Sequence, residues 1–302
     1  FKQGQELNGQ GYRGRFAPSP TGPLHLGNLR TALASWLQAR LAQGLWLLRI
    51  DDLDTPRVRT GSLESIQKDL RWLGLDWDGP IVMQSQRLGL YKQVLSGLRF
   101  QNKLYPCRCT KRILAQVSID TELGMIYPGS CRDLGLSWEE EEGRWPSWRL
   151  KVDKAFEKNS GDVVVRRSDG FIAYHLATVV DELTLGISEV VRGEDLIEAQ
   201  FSQLAVTDAL GQLPVIYRHV PVLCDAKGEK LSKRHGQKGL VEFISDGIKP
   251  GQIVGSLAAG LELLPSGVDL SAKELLDELR RRESPIDSLF ARTAKAQGGA
   301  KN

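Results

Sequence analysis

Residues 12–28 read YRGRFAPSPTGPLHLGN, and this stretch decides the fold class. Its first five residues are typical of a short strand, and the proline- and glycine-rich middle must form a loop. After it, Leu29, Leu33 and Leu37 recur at helical spacing, and the apolar run at 45–50 fits a buried parallel strand. This order of elements predicts a βαβ unit and hence an α/β protein.

The same alternation continues along most of the chain. Helices are predicted, from apolar residues recurring every three or four positions, at about residues 63–74, 90–98 and 199–210. Further strands are predicted at residues 148–152, 163–167, 187–192 and 215–222. The alternation breaks between residues 105 and 142, which we interpret as an inserted subdomain, and a capping-box sequence at 271–274 opens a final helix.

Composition places the chain among globular proteins. It has 302 residues, of which 41% are hydrophobic and 25% are charged, enough to bury a substantial core. No apolar run approaches the roughly 18 residues of a membrane span, and the polar start lacks the apolar stretch of a signal peptide. We therefore expect a cytoplasmic protein with no membrane partner. The net charge of +3 permits a nucleic-acid partner without requiring one.

Two widely separated motifs point to nucleotide chemistry. His25, Gly27 and Asn28 stand where a helix begins, and unpaired N–H groups and the helix dipole attract phosphate there. Much later, the sequence KLSKR contains Lys230 and Lys233, which can neutralise charge developing on a triphosphate. Each motif alone is better read as a structural histidine or a solvated lysine run. The occurrence of both motifs in this order favours ATP as the ligand.

These motifs together resemble the catalytic core of glutamyl-tRNA synthetases. The similarity is carried by RFAPSPTGPLHLGN at 15–28, RIDDLD at 49–54, FIAYHL at 171–176, VVRGED at 190–195 and KLSKR at 230–234. Both family signatures are variants, with Asn28 replacing the last histidine of the first and Leu231 replacing the methionine of the second. The resemblance implies a Rossmann-like class I fold, ATP with Mg²⁺, and an aminoacyl-adenylate intermediate. It assigns nucleotidyl transfer to His25, Lys230 and Lys233.

Recognition of glutamate requires cations for two carboxylates and an acceptor for the ammonium group. Arg15 and Arg192 offer planar bidentate cations, and Asp51 offers the acceptor. Ordinary ion pairs and a turn would be the simpler interpretation without the flanking motifs. The resemblance implies a glutamate site composed of Arg15, Ala17, Ser19, Asp51, Tyr174 and Arg192.

Asp51 departs from the family pattern. Glutamate enzymes have Glu at this position, whereas the related glutamine enzymes have Asp. Arg192 favours glutamate, because a cation suits a charged carboxylate and the glutamine enzymes lack it.

Three of the four cysteines, Cys107, Cys109 and Cys131, lie close together in the sequence with Tyr127 between them. Thiolates suit a closed tetrahedral zinc site, and four cysteines are too few for a disulfide scaffold of this size. The residues alone leave the fourth ligand open between Tyr127, water and another side chain, with three unrelated buried thiols as the alternative. The resemblance favours Tyr127 and a structural zinc ion.

The C-terminal part of the chain limits the resemblance to one group within the wider family. A full glutamyl-tRNA synthetase follows its second signature with a large helical domain that reads the anticodon, whereas residues 236–302 provide two or three helices. This and the Cys/Tyr cluster resemble the family of glutamyl-queuosine tRNA(Asp) synthetases. That family implies transfer of activated glutamate to queuosine in the anticodon stem-loop of tRNA(Asp), and we expect a monomer.

Three alternatives stay open at this stage. A glutamyl-tRNA synthetase fragment would charge the tRNA 3′ end, a glutaminyl enzyme would fit Asp51 but not Arg192, and a catalytically silent zinc-bearing module would only bind RNA. We predict a Rossmann-like class I core in two halves at 12–104 and 166–223, a zinc-bearing insertion at 105–165, and the KLSKR loop with a small helical region at 224–302.

Overall fold

A computed structural model describes residues 11–121, 124–221 and 239–282. The strands are β1 (Arg13–Phe16), β2 (Leu45–Ile50), β3 (Val82–Met83), β4 (Leu104–Cys107), β5 (Ile119–Thr121), β6 (Gly124–Ile126), β7 (Ser147–Leu150), β8 (Val163–Arg166), β9 (Glu189–Gly193) and β10 (Ile216–Val220). The helices are α1 (Leu26–Leu41), α2 (Ser62–Trp72), α3 (Leu88–Phe100), α4 (Lys111–Val117), α5 (Lys154–Glu157), α6 (Tyr174–Thr184), α7 (Ile197–Ala209), α8 (Leu240–Ser245), α9 (Pro250–Gly260) and α10 (Ala272–Arg281).

The described chain divides into two compact units. The insertion-bearing unit comprises residues 84–121, 124–186 and 196–215. The parallel-sheet unit comprises residues 11–83, 187–195, 216–221 and 239–282. The insertion predicted at 105–165 falls inside the first unit, together with α3, α6 and α7. The predicted domain borders themselves stay a prediction.

The parallel-sheet unit contains two groups of parallel strands. β1 pairs with β2 and β2 with β3, and β9 pairs with β10, all in parallel. β9 lies alongside β1, where the N–H of Ser188 donates to the carbonyl of Arg13 at 2.9 Å. This contact places the two groups of strands side by side, with β3-β2-β1 next to β9-β10. The chain thus places β2 and β3 on one side of β1 and later places β9 and β10 on its other side, and open α/β sheets bind ligands at the carboxyl ends of the strands at such a point.

One face of this sheet carries the hydrophobic core. Phe16 of β1 stacks on Trp46 of β2, with ring centroids 6.1 Å apart, and Val191 of β9 joins the same cluster. Helices α1, α2, α9 and α10 supply buried leucines to this cluster. Because side chains alternate along a strand, the neighbours of Phe16 and Val191 point to the opposite face. Those neighbours are Arg15 and Arg192.

The insertion-bearing unit contains antiparallel strands. β4, β7 and β8 form a sheet in the order β4-β7-β8, and β5 and β6 form a separate hairpin. Helices α6 and α7 pack against each other, and the fully buried Asp181 of α6 binds three side chains. Gln84, Arg87 and Tyr91 each donate to its carboxylate within 2.9 Å. This buried carboxylate ties α6 to the beginning of α3.

The sequence predicted most elements but missed α6. β2 has the predicted bounds, α1 runs through the predicted leucines, and Ser271 caps α10 through the predicted reciprocal bonds with Glu274. No helix was predicted at 174–184, where seven consecutive residues, 176–182, are buried. A helix buried on most sides shows little polar alternation, so periodicity is a weak signal. Within the described ranges, no helix is long and apolar enough to cross a membrane.

Candidate functional site

The loop after β1 leads directly into α1, and His25 caps this helix. The N–H of Asn28 donates to His25 Nδ1 at 3.3 Å, and the N–H of His25 donates to Asn28 Oδ1 at 3.3 Å. Because Nδ1 accepts a hydrogen bond, a neutral His25 imidazole carries its proton on Nε2. The predicted phosphate-binding residues therefore form the N-terminus of a helix that follows a parallel strand, as the sequence predicted.

Gly27 is required by the packing of His25. A Cβ atom at Gly27 would lie 3.0 Å from Cε1 and 3.1 Å from Nδ1 of the imidazole, closer than ordinary contact. A side chain at residue 27 would thus require the His25 ring to shift by a few tenths of an ångström. The glycine serves to seat the histidine as well as to leave the backbone open to a ligand.

A buried carboxylate on α2 holds the same loop. Asp69 is 3% exposed and accepts a hydrogen bond from the N–H of Leu24, the residue before His25. Burial raises the pKa of Asp69 to about 6, and the Leu24 hydrogen bond offsets part of that increase. The carboxylate thus holds the residue that precedes the α1 cap. Its burial makes the charged form of Asp69 unfavourable.

Arg15 and Arg192 come from adjacent strands and share the sheet face opposite the hydrophobic core. They are 4% and 3% exposed, respectively. Arg15 Nη1 donates to the carbonyl of Val191 at 3.5 Å, which brings the two side chains together at the β1–β9 boundary. Two guanidinium groups on neighbouring strands offer planar donors of the kind that bind carboxylates in a bidentate manner.

Two side chains of β10 hold Arg192 in place. Its guanidinium lies over the ring of Tyr217, 4.5 Å from the centroid, and Arg192 Nε donates to His219 Nε2 at 3.2 Å. Burial, with a further contribution from the positive charge of Arg192, lowers the pKa of His219 to about 4. His219 is therefore neutral at physiological pH and accepts the hydrogen bond. The sequence pattern did not single out Tyr217 or His219, since strand pairing alone brings them to Arg192.

Asp51 follows β2 and forms a bidentate ion pair with Arg49. Arg49 Nε lies 2.6 Å from Oδ1 and Nη2 lies 3.0 Å from Oδ2. The N–H of Asp51 also donates to the carbonyl of Pro18 at 3.1 Å, which ties this turn to the loop after β1. The carboxylate predicted to accept the substrate ammonium group is thus held rigidly, with its charge shared by Arg49.

The remaining predicted glutamate and ATP contacts are distributed as follows. Ala17 is half-buried and Ser19 is exposed, both in the loop after β1. Tyr174 is the first residue of α6, in the insertion-bearing unit, and is 39% exposed. Lys230 and Lys233 lie outside the described residues, as does the rest of the KLSKR loop.

The cysteine cluster is assembled from three short segments of the insertion-bearing unit. The sulfur atoms of Cys107, Cys109 and Cys131 all lie within 4.8 Å of one another, and Cys109 Sγ is 3.5 Å from Cys131 Sγ. Tyr127 Oη lies 3.6 Å from Cys107 Sγ and 3.5 Å from Cys109 Sγ. Zn–S bonds of about 2.3 Å place the ligands of a tetrahedral site about 3.5–3.8 Å apart. The four side chains fit a zinc ion.

The protonation of this cluster is set mainly by burial. Burial raises the pKa of Cys109 to about 11 and raises the pKa of the Tyr127 phenol above its ordinary value. At Cys107 burial also acts upward, but a backbone hydrogen bond, Arg149 and Tyr127 together lower the pKa of the thiol. The guanidinium of Arg149 lies 3.8 Å from the centre of the Tyr127 ring. A bound cation would supply the charge that favours the deprotonated thiols.

Asp162 supports the cysteine cluster through hydrogen bonds, a role that the sequence pattern did not indicate. It is 3% exposed and accepts hydrogen bonds from Tyr105 Oη at 2.6 Å and Arg132 Nε at 3.0 Å. Its backbone carbonyl accepts from Arg149 Nη1 at 2.7 Å. The carboxylate thereby connects β4 to the turn that follows Cys131. An aspartate in Ser-Gly-Asp reads as a turn residue, so only the tertiary structure shows its role.

Comparisons of this chain with known proteins agree on one family. The sequence profile of tRNA synthetases class I (E and Q), catalytic domain, matches residues 12–250. Two curated relatives are named glutamyl-Q tRNA(Asp) synthetase: one from Prochlorococcus marinus strain MIT 9313, 63% identical over 95% of this chain and 94% of its own length, and one from Parasynechococcus marenigrum, 56% identical over 93% and 94%.

Among solved structures, a glutamate tRNA ligase from Elizabethkingia meningosepticum in complex with its amino acid superposes with a TM-score of 0.72 at 26% identity. The match covers 88% of this chain and 64% of the ligase, so the chain spans just under two thirds of that protein. The glutamate-tRNA synthetase of Elizabethkingia anophelis gives the same TM-score.

Proposed function

The chain belongs to the class I tRNA synthetases for glutamate and glutamine, among them to the glutamyl-Q tRNA(Asp) synthetases, and from this premise we propose that it activates glutamate with ATP and transfers it to queuosine in the anticodon loop of tRNA(Asp). The chain is a ligase, and class I membership carries the use of ATP. The observation that carries the proposal is the 63% identity over 95% of the chain and 94% of its relative. The solved glutamate tRNA ligase from Elizabethkingia meningosepticum is 26% identical to this chain.

The first step joins glutamate to AMP. A glutamate carboxylate oxygen attacks the α-phosphorus of ATP and pyrophosphate leaves, so the protein has to position the two substrates and stabilise charge. His25, with its proton on Nε2, Gly27 and Asn28 would meet the phosphates at the N-terminus of α1. Lys230 and Lys233 would neutralise the triphosphate together with Mg²⁺.

Glutamate recognition would use the two buried arginines. Arg15 and Arg192 would bind the carboxylates, and Asp51 would accept from the ammonium group. Ala17 and Ser19 complete the proposed contacts of the parallel-sheet unit, and Tyr174 stays a contact implied by the family resemblance. Arg192 is held in place by the ring of Tyr217 and by a neutral His219, which accepts its Nε–H. This arrangement supports an acidic substrate over an amide.

The second step transfers glutamate to RNA. A hydroxyl of the acceptor nucleoside attacks the carbonyl carbon of glutamyl-adenylate, an ester forms, and AMP leaves. Zinc held by Cys107, Cys109, Tyr127 and Cys131 would have a structural role, because protein atoms can fill all four positions. We place the protein in the cytoplasm as a monomer, where a reducing environment keeps the three described thiols unpaired.

The test is transfer of labelled glutamate, with ATP, to matched tRNA(Asp) containing or lacking queuosine, with tRNA(Glu) as the comparison. We expect label on the queuosine-containing tRNA(Asp) alone. Label on the 3′ end of tRNA(Glu) would instead identify an ordinary glutamyl-tRNA synthetase activity. Absence of glutamate-dependent ATP–pyrophosphate exchange would establish the catalytically silent RNA-binding alternative.

A further inference from the structure

The insertion-bearing unit contains alternating arginine and tryptophan side chains that end at the surface. We call Arg99, Trp138, Trp148, Arg166 and Trp145 the Arg–Trp ladder. Arg99 lies 4.1 Å from the Trp138 ring centre and 5.4 Å from that of Trp148, and Arg166 lies 5.1 Å from Trp148 and 6.0 Å from Trp145. The ladder ends at Trp145, whose side chain is 41% exposed.

Trp145 forms one wall of a cavity of about 580 Å³. Arg144 and Glu142 line it from the same segment, and Cys107 and Cys109 line it from the cysteine cluster. Its volume lies within the roughly 300–1,000 Å³ usual for sites that enclose a small organic group. The cavity therefore combines an exposed aromatic face with charged groups of both signs.

The wall of the cavity is held by Arg108. Arg108 Nη1 donates to the carbonyl of Arg144 at 3.0 Å, and its Nη2 donates to the carbonyls of Ser137 at 3.3 Å and Glu139 at 2.5 Å. A single guanidinium thus fixes three points of the segment that leads to Trp145. The aromatic face is preorganised, which lowers the entropy lost on binding.

The tip of that segment is a two-residue turn with one unusual residue. Glu141 and Arg144 exchange backbone hydrogen bonds of 3.1 and 2.9 Å around Glu142 and Gly143. Both central residues have positive φ, 51° and 73°, a conformation that glycine and asparagine adopt more readily than glutamate. In the described part of the chain, no hydrogen bond or ion pair engages the side chains of Glu142 and Arg144. One anion and one cation thus stand beside the indole without partners there.

We propose that this cavity binds one unstacked base of the RNA substrate, a base that carries an exocyclic amino group. Trp145 would stack on the base, Glu142 would accept from the amino group, and Arg144 would contact an adjoining phosphate. Uracil has no exocyclic amino group and would bind less well. This inference rests on the tRNA substrate proposed above and adds a specificity contact to it.

The test compares variants for activation and for transfer separately. Trp145→Ala should raise the KM for tRNA about tenfold, the effect of losing one base stack, while glutamate-dependent ATP–pyrophosphate exchange stays at the wild-type rate. Trp145→Phe should retain most of the affinity because an aromatic face remains. Phe100→Ala, which removes another exposed aromatic side chain of the same unit (92% exposed), is the matched control and should leave both activities unchanged.

Two further measurements keep the proposal open to refutation if Trp145→Ala fails to fold. Glu142→Ala, which removes the proposed acceptor for the amino group, should also raise the KM for tRNA, and ultraviolet cross-linking of the wild-type protein to tRNA should label the peptide containing Trp145. A wild-type KM in folded Trp145→Ala, or an unlabelled Trp145 peptide, would overturn the base site and leave the proposed function intact. Wild-type protein that exchanges pyrophosphate but transfers glutamate to no tRNA would overturn the proposed function instead.

Discussion

The two-arginine face of the parallel sheet and the cysteine cluster are built in opposite ways. Arg15 and Arg192 are far apart in the sequence and meet because β1 and β9 are neighbours in the sheet. The three cysteines lie within 25 residues of one another in the chain, at the end of β4, just after it, and in the turn that follows β6. The first arrangement depends on the sheet order, and the second depends on local chain geometry. The comparison predicts that a substitution at the arginine face should act mainly on activity, whereas one at the cluster should act mainly on stability.

Arg192→Ala would test the activity side of this comparison most severely. Removing a buried cation from a site for a charged substrate should reduce glutamate-dependent ATP–pyrophosphate exchange about a thousandfold, since loss of one partner of a buried charge pair costs about 4 kcal/mol. Circular dichroism should show a folded protein. Exchange within threefold of wild type would remove Arg192 from the glutamate site, and Arg192→Lys, which keeps the charge but loses the bidentate geometry, serves as the graded control.

Cys131→Ser would test the stability side. We expect the purified protein to lose its zinc and the free energy of unfolding to fall by about 3 kcal/mol, because the remaining ligands no longer close a tetrahedral site. Metal analysis and denaturant unfolding would measure both. Ser130→Ala, next in the chain and outside the ligand set, is the control. A variant that keeps one zinc per chain would exclude Cys131 as a ligand.

Asp69→Asn would sharpen the comparison, since Asp69 lies in the parallel-sheet unit and yet should act on stability. Its pKa is raised from the ordinary value near 4 to about 6 in the folded protein, so folding favours the protonated form. The wild-type protein should therefore lose about 3 kcal/mol of stability as the pH rises from 4 to above 6. Asparagine stays neutral and can still accept from Leu24. We expect the variant to be more stable than wild type at pH 8 and similar at pH 4, as measured by urea unfolding; equal stability at both values would contradict the raised pKa.

We expect the smallest effect from Gly27→Ala. This variant distinguishes the role of the His25 ring in ATP binding from its role in the stability of the helix. Alanine favours a helix by about 1 kcal/mol over glycine, which offsets the cost of disturbing the cap, so thermal stability should change little. The displaced His25 ring should raise the KM for ATP about tenfold. Thr31→Ala, one turn further along α1, is the control, and a normal KM for ATP in Gly27→Ala would show that the ring position does not matter.

The sequence predicted the local features and missed those that strand pairing creates. The bounds of β2, the cap of α10 and the grouping of the cysteines follow from neighbours within a few residues, and all three agree with the structure. The support of Arg192 by Tyr217 and His219 depends on the pairing of β9 with β10, which no local pattern encodes. The sequence allows several ion pairs for Asp51 and does not select among them. The structure shows that Asp51 pairs with Arg49 in a bidentate manner.

The order of the strands also has a consequence for how the protein is made. The edge of β1 that faces β9 can be covered only after residue 188 has left the ribosome, because Arg13 N donates to Ser188 Oγ, 175 residues along the chain. At the usual 5–20 residues per second, that edge waits about 10–35 s during synthesis. An uncovered strand edge can pair with another chain. The strand that carries Arg15 is therefore a part of the nascent protein that needs protection from aggregation.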